Sequence, residues 1–301
     1  MDTFKASYIR LYEDGTLLKR VEEAKRHLTE CYLCPHECGV DRSRGVGFCR
    51  AKDEAIVSTY GPHFGEEDVL VGYRGSGTIF FGYCNMRCVF CQNYELSFGG
   101  EGRTVSNEEL ANIMLFIQNH YRCHNINLVS PTHFIPNIIE AIYIAVGKGL
   151  YLPIVYNTGG YERVEVLRSL EGIVDIYMPD FKYSSSELAA KYSKAPDYPN
   201  KAKLALKEMD SQVGGLKVDD KGIAYKGLLI RHLMLPGNVE DTKEVLKFIK
   251  GELSSDCLVN LMNQYYPTHR AFEYYELSRR LGFNEYKEAY TFGERLGLRL
   301  D

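Results

Sequence analysis

The chain has 301 residues, 45% hydrophobic and 25% charged, enough to bury a full core as one large domain or as one domain with an extension. A formal net charge of -4 offers no basic surface for nucleic acid, and no apolar run reaches the length of a membrane span. The first seven residues lack the basic-then-apolar pattern of a signal peptide, so a cytoplasmic location is expected. Nine cysteines, seven of them in two tight groups, fit metal sites in a reducing compartment better than a disulfide framework.

Taken in order, Leu17, Leu18, Val21, Ala24 and Leu28 recur near the helical period, which predicts an amphipathic helix over residues 17–30. The first cysteine group follows at once. Cys31, Cys34 and Cys38 are spaced x2 and x3, and Cys49 comes after a Gly45-Val46-Gly47 turn. Four such cysteines can close a tetrahedral zinc site or hold an iron–sulfur centre, and His36 could replace one of them. Residues 55–77 mix short β-prone runs with glycine and read as a connector. The expected division is therefore 1–77, helix, cysteine knuckle and connector, and 78–301, the main domain with C-terminal helices.

From Thr78 onward β-prone runs alternate with helical stretches, the signature of parallel strands joined by crossover helices. Six strands are predicted, near residues 78–81, 126–129, 152–156, 174–178, 228–235 and 257–262. The first helix opens on Ser106-Asn-Glu-Glu109, a capping-box pattern, and later ones start near Pro136, Tyr161, Asn200, Glu240 and Thr268. Six units are too few to close an eight-stranded barrel. The predicted fold is α/β, a partial (β/α)6 barrel with parallel strands and a small N-terminal cysteine-rich extension, with its working groups at the C-terminal strand ends.

At the first of those ends lies Cys84-Asn-Met-Arg-Cys88-Val-Phe-Cys91. Three cysteines spaced x3 then x2 on one loop can each bind an iron of a cubic 4Fe-4S cluster and leave the fourth iron open for a ligand. A structural zinc with a distant fourth ligand, or three separate thiols, is the plainer reading. The preceding β-type run and the helix soon after make the strand-loop-helix setting that favours the cluster. Phe90 would lie along the cluster's edge, where its face could pack on a planar ring.

This stretch resembles the radical S-adenosylmethionine (SAM) superfamily, whose loop has the form Cys-x3-Cys-x-aromatic-Cys after the first strand of a partial barrel. Further on, Asn157-Thr-Gly-Gly160, Met178-Pro-Asp180-Phe-Lys182 and the Arg231 strand end are similar to the pyruvate formate-lyase activating-enzyme group. The N-terminal four-cysteine group resembles an uncharacterised subgroup of it. The resemblance implies that positions matching Asn157, Thr158, Met178 and Asp180 surround a small monovalent cation beside the SAM carboxylate, with Lys182 and Arg231 near SAM. Two departures stand out: Asn157 replaces an aspartate, and Ser130-Pro-Thr-His133 stands where a Gly-Gly-Glu stretch meets the methionyl amine.

What the resemblance implies is reductive SAM cleavage. An electron from a flavodoxin or ferredoxin passes through the 4Fe-4S cluster to the sulfonium, giving methionine and a 5'-deoxyadenosyl radical. That radical takes hydrogen from a protein or small-molecule substrate, a glycyl-radical enzyme being the partner in the activating group. Two other classes remain open on the cysteines alone, a non-enzymatic iron–sulfur electron carrier and a zinc-dependent binding module. Cys123 and Cys257 lie outside both groups and read as packed thiols.

Overall fold

The apolar runs pair edge to edge in the computed structural model, which describes residues 4–301. In chain order the strands are β1 (Ala55–His63), β2 (Ser76–Phe81), β3 (Arg103–Val105), β4 (Ile126–Val129), β5 (Ile154–Thr158), β6 (Ile176–Pro179), β7 (Lys217–Val218), β8 (Ala224–Leu233), β9 (Leu258–Met262) and β10 (Arg299–Leu300). They form one open sheet in the order β10-β9-β8-β6-β5-β4-β2-β1-β3, with β7 beside β8. The six predicted strands are β2, β4, β5, β6, β8 and β9, all parallel to their neighbours in this order. The result is a partial barrel of the expected kind. β10 adds a further parallel strand on β9, too short to announce itself in the sequence.

The connector does more than link. Its β1 runs antiparallel to β2, with His63 opposite Ser76, so the chain leaves β1 at the N-terminal end of the barrel. The one-turn helix Asp68–Val71 then pushes Leu70 into the lumen. There it packs with Val155, Ile176, Met178, Leu229 and Leu258 in one buried cluster. Full burial of a leucine contributes about 1.5–3 kcal/mol, so this plug is held in place by its own apolar contacts.

Outside the sheet, Ile135–Gly147 buries Ile138, Ile139 and Ile142, and the amphipathic N-terminal helix (Thr16–Thr29) buries Leu17, Val21 and Ala24. The Ser106 capping box is present, with Glu109 N–H bonded to Ser106 Oγ at 3.1 Å and Ser106 N–H to Glu109 Oε2 at 2.8 Å. The helix expected near Tyr161 begins at Val164. One helix expectation needs correction: none starts at Thr268, since residues 271–277 make only two short 3-10 turns and the last helix is Phe283–Arg295. The intervening chain is drawn onto the cysteine loop, where Arg270 N–H bonds Val89 O at 2.9 Å, and that tertiary contact outweighs local helical preference.

Candidate active site

The Cys84–Cys91 loop leaves the C-terminal end of β2 through Gly82 and Tyr83. Tyr83 takes a φ of +69°, and Leu96 O holds its N–H at 2.8 Å. Further backbone bonds pin the loop: Val89 N–H to Tyr192 O at 2.8 Å and Cys91 N–H to Cys88 O at 3.2 Å. Each sulfur meets a polar partner. Met86 N–H points at Cys84 Sγ at 3.4 Å, Ser193 Oγ donates to Cys88 Sγ at 3.0 Å, and Cys91 Sγ lies 3.4 Å from Ser97 Oγ.

Burial pushes the Cys84 thiol up to about 12, and the neighbouring Cys88 adds to the effect. Cys88 is raised too, mainly by burial, while the Lys182 ammonium pulls both thiols the other way. Buried thiols whose ionised forms are disfavoured by one another are the groups that a soft metal centre stabilises as thiolates. In a cubic cluster each cysteine takes its own iron, and three thiols on one short loop are a donor set that fits a 4Fe-4S cluster held by Cys84, Cys88 and Cys91.

Across the lumen mouth stands a chain of charges. Alternation along β6 puts Met178 and Asp180 on the inner face. Lys182 Nζ donates to Asp180 Oδ2 at 2.5 Å, and Arg231 Nε donates to Asp180 Oδ1 at 3.0 Å. Arg231 also donates to Asn157 Oδ1 at 2.6 Å and to Glu66 Oε2 at 3.4 Å. Burial would raise the Asp180 carboxyl, but the Lys182 and Arg231 charges outweigh it and hold the group below the usual carboxylate range. Burial likewise works against the charge on Lys182 and Arg231, and Asp180 keeps both firmly protonated. Glu66 is raised, chiefly by burial.

The two halves of the site touch at Gly159, where an added Cβ would lie 3.2 Å from Met86 Sδ and 3.7 Å from Lys182 Cε. Gly160 beside it has a φ of +78°, and a Cβ there would lie 2.2 Å from Asp180 O, so β5 and β6 meet this closely only through glycine. Tyr198 fastens the same junction. Its hydroxyl lies 2.8 Å from Asp180 O and 3.0 Å from Gly159 O, and it accepts from Lys182 N–H at 2.9 Å.

Asn157, Met178, Asp180, Lys182 and Arg231 thus come together, and Thr158 does not. Strand alternation turns Thr158 to the outer face of β5, where its hydroxyl bonds Glu162 and lies 3.4 Å from Thr132 Oγ1. Phe90 is buried edge-on to Tyr183 and Tyr265, with centroids 6.4 and 6.2 Å away. His36 is not among the groups lining the cavity between Cys31, Cys34, Cys38 and Cys49. Its Nε2 instead pairs with Asn85 O at 2.9 Å. His133 is buried behind the loop with Nε2 on Gly82 O at 2.8 Å, and burial pulls its pKa down to about 3. Cys123 and Cys257 are buried apart from both groups, as packed thiols.

Glu66, Tyr198 and Glu162 were not picked out from the sequence. Glu66 lies in the connector, far along the chain from the strand ends it serves. Tyr198 is one of 23 tyrosines with no motif around it. Glu162 follows the recognisable Asn157-Thr-Gly-Gly160 stretch, and that proximity was the one signal available.

Residues 78–249 match the family described as the Radical SAM superfamily. The chain belongs to the radical SAM superfamily. It is also 33% identical over 309 residues to Uncharacterized protein MJ0674 of Methanocaldococcus jannaschii, covering 99% of this chain and 84% of that protein. A further likeness is to SuiB of Streptococcus suis, whose crystal structure is bound to precursor peptide SuiA, with TM-score 0.49 and 13% identity. That match covers 72% of this chain and 46% of SuiB, so the chain spans less than half of SuiB's length. A radical SAM enzyme carries a 4Fe-4S cluster and SAM and takes its electrons from a reductant. No helix among the described residues is long and apolar enough to cross a membrane.

Proposed function

We propose that this radical SAM enzyme is of the pyruvate formate-lyase activating-enzyme-like kind, and that it binds SAM between the cysteine loop and the ends of β5, β6 and β8. The observation that carries this reading is the Lys182–Asp180–Arg231–Asn157 chain, which stands beside Met86 across Gly159. When bound, the cluster supplies the electron that breaks a carbon–sulfur bond of SAM. The protein's own part is to orient and to enclose. Lys182 has ammonium protons beyond the one given to Asp180 and offers them to the SAM carboxylate. Asp180 keeps Lys182 and Arg231 charged and fixed in place. Met178 and the Leu70 plug close the lumen beneath them and exclude water.

In this reading the site works without a monovalent cation. Lys182 and Arg231 already balance the Asp180 charge that a cation would otherwise neutralise. The electron donor is a flavodoxin or ferredoxin, and the hydrogen donor is a protein or small molecule, a glycyl-radical enzyme among them. The radical SAM core at 78–301 is joined by a preceding segment whose β1 and Leu70 turn are built into its sheet and lumen.

The test is anaerobic reconstitution with iron and sulfide, reduction by dithionite, and product analysis with SAM. Methionine and 5'-deoxyadenosine in equal amounts are expected. A fully loaded, reduced protein that leaves SAM intact would overturn the proposal.

A further inference from the structure

The N-terminal cysteines are not spent on the SAM site, yet they are assembled. Cys31, Cys34, Cys38 and Cys49 line one cavity together with Arg42. Cys34 and Cys49 are buried, while Cys38 is exposed at the rim and gives a metal a way in. The turn that returns the chain to them passes directly over a sulfur. A Cβ on Gly47 would lie 2.7 Å from Cys38 Sγ, and Phe48 N–H points at the same sulfur at 3.4 Å. Around the other sulfurs, burial raises Cys34 and Cys49, and the backbone N–H groups of His36 and Ala51 pull the other way.

A second observation is independent of the cysteines. Arg42 is 1% exposed, and its guanidinium donates to His133 O and Lys52 O. Its Nε has no partner at all. A buried cation with an unmet donor beside four thiols is the counter-charge that an anionic metal–thiolate centre requires. The four sulfurs line one cavity. Four thiolates can close a zinc site or take the four corners of a cubic cluster, and the links to the Cys84 loop favour a centre that carries electrons.

The knuckle is also joined to the catalytic loop. Asn85, next to Cys84, gives its carbonyl to His36 Nε2 at 2.9 Å, two residues from Cys34. Arg87, next to Cys88, donates to the carbonyl of Phe48, next to Cys49, at 2.7 Å. The Arg87 guanidinium packs over Phe48 and Phe98, 5.1 Å from each centroid, and His36 stacks on Phe48 at 3.7 Å. Two short paths, each of covalent bonds and one hydrogen bond, connect the cysteine groups.

We infer that Cys31, Cys34, Cys38 and Cys49 hold a second iron–sulfur cluster, ligated at every corner by the protein, which relays electrons to the cluster on the Cys84 loop. The relay rests on the radical SAM reading; the second cluster does not. A one-electron donor protein is oxidised as the N-terminal cluster is reduced, and the same electron then moves to the Cys84-loop cluster. No bond breaks and no proton is needed. With all corners closed by thiolate, this cluster has no open iron for SAM.

The first test is metal and sulfide content of the reconstituted wild-type chain, which needs no variant to fold. About eight irons and eight sulfides per chain are expected; about four of each, with one zinc, overturns the cluster. The triple variant C84A/C88A/C91A should keep about four irons and an electron-paramagnetic signal unchanged by SAM, whatever the fate of the SAM reading. Loss of all iron from a variant with wild-type circular dichroism overturns the assignment. For the relay, C34A/C49A should reduce its Cys84-loop cluster normally with dithionite but at least tenfold more slowly with a ferredoxin. An unchanged ferredoxin rate overturns the relay and leaves the cluster standing.

Discussion

Lys182 Nζ lies 2.5 Å from Asp180 Oδ2, so two residues spaced by two at the end of β6 share one face and one contact. Arg231 reaches the other oxygen of the same carboxylate from β8. The pair is part-buried, and removing Asp180 leaves two cations facing each other in the lumen, while removing Lys182 takes away the ammonium nearest the cysteine loop. A charge-assisted contact contributes about 1.5–3 kcal/mol, so Asp180→Ala and Lys182→Ala should each weaken SAM binding by roughly ten- to a hundredfold. Calorimetry on the reconstituted protein checks this, with iron content as the control. Wild-type affinity in both variants would show that SAM does not meet this face.

Thr158 makes the opposite prediction from the same strand. Its hydroxyl faces Glu162 behind the sheet. Thr158→Val should leave SAM affinity within about twofold and cost about 1–3 kcal/mol of stability, the penalty for a buried acceptor that loses a donor. A large loss of SAM affinity at wild-type stability would return Thr158 to the pocket.

Glu162 gives stability a pH dependence of known sign. Burial raises its carboxyl to about 7, while hydroxyls of Thr132, Thr158 and Tyr156 oppose the shift. Its ordinary value is 4.5. Between those values the folded chain keeps a proton that the unfolded chain has released. This group's contribution therefore falls as pH rises from about 4.5 to about 7, and is level above. In denaturant unfolding of the apoprotein, Glu162→Gln should gain stability relative to wild type across that window. A constant difference between the two proteins from pH 5 to 8 would contradict the assignment.

Gly160→Ala tests how closely β5 and β6 must meet. The new methyl group would collide with Asp180 O at a φ of +78°. A loss of stability of about 1–3 kcal/mol is expected, with weaker SAM binding as Asp180 is displaced. A variant as stable as wild type would mean the junction relaxes freely.

How far the sequence could be read follows from what each feature rests on. The six parallel strands are apolar runs between turn residues, and Ser106 with Glu109 is a local cap, so period and spacing sufficed for both. Asp180 and Lys182, two residues apart, share one face by strand alternation, which is a local rule. The same rule, applied from Asn157, turns Thr158 away, and only the family likeness had put it in the pocket. The Leu70 plug, Glu66 under Arg231, and Arg42 among the cysteines are contacts between segments far apart in the chain, with no local pattern to mark them. The absent helix at Thr268 is the same lesson reversed, since Arg270 is held by Val89 and local propensity gives way.

The most direct test of the account is SAM cleavage by Cys88→Ala beside Cys123→Ala, both reconstituted anaerobically and reduced with dithionite. Cys88 belongs to the loop to which this account assigns the cluster, and Cys123 is a buried thiol outside both cysteine groups. The account predicts no 5'-deoxyadenosine from Cys88→Ala and wild-type amounts from Cys123→Ala. Full cleavage by Cys88→Ala would contradict it.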